Sequence, residues 1–155
     1  MTVFTVGNQA SAQGVAMSAL PAEITTKDLG VENPGLLPTS PFYFLKEWQR
    51  AVQKVFTFNP IKKAELETDT LNQRAAEIKK MEEIAPQNIE AVTKAIEKYK
   101  KNVDGLRERL GNIKETSQNP NVDKLLDKLT DRSLKHLELF EDLKSKFENS
   151  DLKQK

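Results

Sequence analysis

Four stretches of the chain carry apolar residues at alternating steps of three and four, the spacing of a helix with one buried face. The first runs about Pro41–Phe56, where Leu45, Trp48, Val52 and Val55 keep the step and Phe42, Phe44 and Phe56 widen the stripe. The second runs about Pro60–Ile84, through Ile61, Ala64, Thr68, Leu71, Ala75 and Ile78. Its small side chains predict a closely packed neighbour. The third runs about Pro86–Lys114, through Ile89, Val92, Ile96, Tyr99, Val103, Leu106, Leu110 and Ile113. The fourth runs about Pro120–Glu148, through Val122, Leu126, Leu129, Ser133, His136, Phe140, Leu143 and Phe147. Such sustained stripes call for helices crossing at a shallow angle.

Prolines mark where these segments start. Ser40-Pro41, Asn59-Pro60 and Asn119-Pro120 each set a capping side chain before a proline, and Pro86 with Asn88 forms a looser version. A Ser or Asn oxygen can accept from an orphan amide of the first turn, and proline at the first helical position gives up no bond. The turns joining the segments are short, at Asn59, Ala85–Gln87 and Ser117–Asn119. Connections that short make neighbours antiparallel. The expected fold is all-α: an elongated antiparallel bundle of three long helices plus a shorter aromatic-rich N-terminal helix. At 1.5 Å per residue the last two helices would each reach about 40 Å. Gly105 inside the third is read as a bend or a close approach.

The first helix and the turn after it hold an aromatic group made of Phe42, Phe44, Trp48, Phe56 and Phe58. With Lys46, Arg50 and Lys54 alongside, the stretch fits a membrane surface as well as a core. A face so wide and apolar is expected to be buried, as an aromatic plug flanked by the caps Ser40, Pro41, Asn59, Pro60, Asn119 and Pro120. Ser133 and His136 are expected to form a polar seam that fixes helix register.

Upstream of residue 39 the character of the chain changes. Residues 13–38 hold Gly14, Pro21, Gly30, Pro34, Gly35 and Pro38 with no sustained period, and read as a spacer. Ala10-Ser11-Ala12 before Gln13 has the small residues that signal peptidase accepts, after a short apolar run with no basic start. Residues 1–12 are therefore read as a possible signal-peptide remnant, 39–150 as the helical domain and 151–155 as a disordered tail.

Charge sharpens this division. Residues 1–40 carry one basic and three acidic residues, so the overall charge of +1, from 24 basic against 23 acidic, is a −2 leader joined to a +3 body. That argues against nucleic acid as a partner, and lysine pairs such as Lys62–Lys63, Lys79–Lys80 and Lys100–Lys101 have acidic neighbours. Acidic groups at Glu65/Glu67/Asp69, Glu82/Glu83 and Glu138/Glu141/Asp142 are likewise interleaved with lysines and read as solvated faces. No cysteine is present, which removes thiolate metal sites and cysteine nucleophiles. A lone histidine and the lack of Gly-x-Ser-x-Gly, phosphate-loop or Gly-x-Gly-x-x-Gly motifs leave no catalytic, cofactor-binding or metal site to name. No 18-residue apolar run exists to span a membrane.

Two motifs carry a resemblance. Ser40-Pro41-Phe42-Tyr43-Phe44-Leu45-Lys46 and Phe56-Thr57-Phe58-Asn59-Pro60-Ile61-Lys62-Lys63-Ala64-Glu65, continued through Glu115–Lys124, resemble an uncharacterised family of extracytoplasmic prokaryotic helical domains, with Asn59 in place of the commoner Asp. The resemblance covers about residues 35–148. It implies export, and it brings neither an established activity nor catalytic residues. The expectation is a non-enzymatic, secreted, periplasmic or cell-surface module that works through a protein partner or self-association, as scaffold or assembly unit. Peripheral contact with the envelope is compatible with this. The alternative is a periplasmic chaperone-like or stress-sensing binder that uses the concave face of the helical hairpin.

Overall fold

A computed structural model describes residues 23–113 and 119–153, with side chains up to residue 149. The signal-peptide remnant, the first part of the spacer and most of the third turn fall outside the described residues. Four helices follow in order: α1 (Tyr43–Phe56), α2 (Pro60–Ile84), α3 (Ile89–Asn112) and α4 (Pro120–Lys153). The described residues contain no strand. The fourth helix continues to Lys153, through part of the expected tail.

Side-chain caps set several of these boundaries. Asn59 Oδ1 accepts from the amides of Ile61 (2.9 Å) and Lys62 (3.0 Å), with Pro60 as the first helical residue. Asn88 Oδ1 accepts from Ala91 N, and Asn119 Oδ1 from Asn121 N. Ser40 differs. Its hydroxyl accepts from Phe42 N at 3.3 Å, but Pro41 stays in a turn and α1 starts at Tyr43. The turn is closed by Tyr43 N donating to Ser40 O, so the proline sits ahead of the helix instead of opening it.

The second helix lies at the centre and packs against each of the other three. Ile61, Ala64, Thr68, Leu71, Ala75 and Ile78 are all buried, as its small-residue stripe requires. The Lys128–Asp69 and Lys146–Glu82 ion pairs advance together along both chains, so α4 runs parallel to α2. Arg109 reaches back to Glu67, so α3 runs antiparallel to both. Backbones of α3 and α4 do not approach closely. Their side chains meet instead, Tyr99 lying against His136 and Phe140.

Several expectations change here. On α4 the buried positions are Leu125, His136, Leu139 and Leu143, whereas Leu126 is about half exposed. The expected stripe is widened, not displaced: its His136 and Leu143 are buried, its Val122, Leu129, Phe140 and Phe147 are partly buried, and Leu125 and Leu139 join it. Ser133 is exposed as well, so His136 is the only buried member of the expected polar seam. A Cβ built on Gly105 would meet nothing within 4 Å, and α3 runs through it without a close approach. The described part of the spacer joins the core. Leu29, Val31 and Pro34 are buried, and Ile24 and Leu37 pack on the cluster of Ala75, Ile78, Val92, Leu139 and Leu143. Gly30 (φ +83°) and Gly35 (φ +66°) make the left-handed turns that fold this segment back.

Candidate functional site

The first helix is docked with its polar side inward. At 100° per residue, Tyr43, Lys46, Glu47, Arg50 and Lys54 form one stripe, and Phe44, Leu45, Trp48, Val52, Val55 and Phe56 form the opposite one. The polar stripe faces α2. Glu77, whose side chain is 1% exposed, receives Tyr43 Oη at 2.5 Å, Arg50 Nη2 at 2.7 Å and Lys46 Nζ at 2.5 Å. Arg74 Nη2 donates to Glu47 Oε2 at 2.7 Å, and its Nη1 to Tyr43 Oη. Further along, Lys54 pairs with Glu67, which also takes a two-pronged contact from Arg109 of α3 (2.9 and 3.0 Å). Lys46 also donates to the carbonyls of Pro34 and Leu36, which ties the N-terminal segment to the same node.

Burial and the bond to Glu77 push the Tyr43 phenol well above its ordinary range, so it stays protonated as a donor. Burial works to raise Glu47 and Glu67, but Arg74 and Arg50 beside the first, and Arg109 and Lys54 beside the second, hold both below the usual carboxylate range. Glu47 and Glu67 are thus held ionised around neutral pH. A buried carboxylate with three donors is the situation in which an ion pair withstands desolvation.

The consequence lies on the other side of the helix. Phe42, Phe44, Trp48, Phe56 and Phe58 are 61–88% exposed, and Leu45 and Val55 are also in solvent. The aromatic plug is therefore not a plug. Tyr43 is the only buried residue of α1. Its ring lies beneath the Arg50 guanidinium (5.9 Å) and the Lys98 ammonium (5.5 Å). The physical reason is that α2 meets α1 with charges: Glu67, Arg74 and Glu77 recur at steps of seven and three on one side of α2. An apolar stripe laid there would strand all three. That spacing, matched against Glu47, Arg50 and Lys54 of opposite sign, was a readable signal that the apolar stripe alone concealed. Glu67 and Lys79, expected on solvated faces, are buried and paired, Lys79 with Glu23 and Glu82.

His136 sits apart from this node. Its Nδ1 is 2.8 Å from Tyr99 Oη, and the rings meet edge-on at 5.5 Å. Burial, reinforced by the positive charge of Arg132, lowers its pKa to about 4, and burial pushes Tyr99 up to about 12. Both are neutral in ordinary conditions. Among the described residues no three His, Asp or Glu side chains are grouped to hold a metal ion. No helix among them is long and apolar enough to cross a membrane.

An all-helical chain with an outward-facing amphipathic first helix is the class these features define. The model of a domain of unknown function (DUF5667) matches residues 35–154, and the chain belongs to that family. No curated protein and no solved structure matches it.

Proposed function

We propose that this protein is a non-enzymatic interaction module, an elongated antiparallel bundle of three long helices that presents the shorter α1 to a protein partner. The observation that carries the reading is the exposed aromatic stripe of α1, fixed outward by the charged node beneath it. With ~200 Å² per large aromatic, Phe44, Trp48 and Phe56 of α1 offer roughly 400 Å² and the flanking Phe42 and Phe58 roughly 300 Å² more, together close to the ~800 Å² per partner of a stable interface. Contiguous apolar patches above a few hundred Å² mark such interfaces.

A second copy of the chain is the first occupant to consider. The outer stripe, Phe44, Leu45, Trp48, Ala51, Val52, Val55 and Phe56, carries no charge and is bordered by Gln49 and Gln53, so two copies can face each other without repulsion. Lys46, Arg50 and Lys54, which would anchor a helix to an anionic lipid surface, are spent on Glu77 and Glu67. Export is part of the same proposal. It rests on Ala10-Ser11-Ala12 and the family resemblance, and a mature N-terminus at Gln13 would support it.

Sedimentation equilibrium of the intact chain tests the interaction reading. Self-association that disappears in Trp48→Glu, with the helical content kept, is the expected result. A monomer at all concentrations would remove self-assembly, and flotation with neutral phosphatidylcholine vesicles would move α1 to lipid. The second reading is the chaperone-like binder. Suppression of aggregation of a denatured client, lost in the same variant, would support that one.

A further inference from the structure

Between α3 and α4, floored by α2, lies a groove of about 500 Å³, within the range of small-molecule sites. It exists because both helices pack on α2 and not on each other's backbones. Its walls are apolar: Leu71 below, Val103, Leu106 and Leu110 on one side, Leu129 and Phe140 on the other.

Three observations say what such a groove takes. First, Asn72 Oδ1 and His136 Nε2, from side chains at least nine-tenths buried, line it and have no hydrogen-bond partner. Such atoms are uncommon in a protein interior, and Arg74 Nε is a third. Second, in a chain with 23 acidic residues, none lines the groove, whereas Arg107 and Arg132 do. Neither arginine is in an ion pair among the described residues. Third, Arg132 is positioned. Its Nη1 donates to Asp28 O at 2.7 Å, and its guanidinium lies 3.0 Å from where a Cβ on Gly30 would be. Only a glycine at φ +83° leaves it that room. In the antiparallel register set by Tyr99 and His136, Arg107 falls opposite Lys128, about one turn along the helix axis from the level of Arg132 on the facing wall.

We propose that this groove is a binding site for a single-chain anionic amphiphile, a carboxylate with an alkyl tail. The carboxylate lies between Arg107 and Arg132, which can donate to it in a charge-assisted way, and the tail lies along Leu71, Val103, Leu106 and Phe140. Tyr99 to Leu110 covers eleven residue rises, or ~16 Å, so the tail runs lengthwise. The site is separate from the α1 stripe and does not depend on the function proposed for it.

Isothermal titration of the full chain with dodecanoate, below its aggregation concentration, tests this, with the His136 imidazole followed by NMR. The expected result is one site per chain, a shifted His136 resonance, and binding about tenfold weaker in Arg107→Gln or Arg132→Gln. Ser133→Trp, an exposed position on the wall that leaves the fold intact, should block the groove and abolish binding. Dodecyltrimethylammonium should bind at least tenfold more weakly than dodecanoate. No binding, equal binding of the cationic amphiphile, or binding lost in Trp48→Glu but kept in Ser133→Trp would each overturn the proposal.

Discussion

Replacing Glu77 by Gln perturbs the docking of α1 at its centre. The side chain keeps its size and one acceptor for Tyr43 Oη but loses the charge that Lys46 and Arg50 meet. Breaking one side of a buried ion pair costs ~3–5 kcal/mol. Lys46 and Arg50 are 16% and 12% exposed and can turn to solvent once released, so we expect about 2–3 kcal/mol. The loss should be local, because α1 is held mainly by this node and Leu29, Val92, Leu139 and Leu143 of the main core do not touch it. Native-state amide exchange reads this directly. Amides of α1 should exchange roughly 30- to 150-fold faster, while those of α2 near Ala75 and Ile78 hold their rates. Unchanged α1 exchange would refute the claim that the charged node docks this helix. Uniform acceleration throughout the chain would refute its independence from the core.

The remaining expectations follow from the same geometry. His136 binds its proton at about 4 when folded against an ordinary 6.5, so the unfolded chain holds more protons between those values. Stability should therefore be complete above pH 6.5 and fall by about 3 kcal/mol as pH drops toward 4, measured by urea midpoints, and His136→Phe should flatten the part between pH 5 and 6.5. Trp48→Ala should change stability by less than ~0.5 kcal/mol in the monomer, since the ring is 68% exposed, and a loss near 3 kcal/mol in denaturant unfolding would show it is buried after all. Gly30→Ala should cost about 1 kcal/mol or more, from the left-handed backbone and the crowded Arg132, and a stabilised variant in thermal unfolding would contradict the turn.

The helices were legible because their signals are local. Asn59 before Pro60 fixes the start of α2 by a bond that spans three residues, and the Ile61-to-Ile78 stripe needs only the helical period to become a core face. Ser40-Pro41 misled because a cap is equally a turn, and the chain had used the hydroxyl one turn too early. His136 was placed on the inner seam of α4 from spacing, but its partner Tyr99 and the groove beside it depend on how far α3 stands from α4.

What the sequence determined by itself is an all-helical chain with a strongly amphipathic first helix. Which side of that helix is inside was a matter for the tertiary structure alone. An apolar stripe reports that one face avoids water, but the partner offered decides whether it can. Here the partner is α2, and its Glu67, Arg74 and Glu77 attract the charged face of α1 more strongly than aromatic burial could offset three stranded charges. The rings of Phe44, Trp48 and Phe56 are left facing outward.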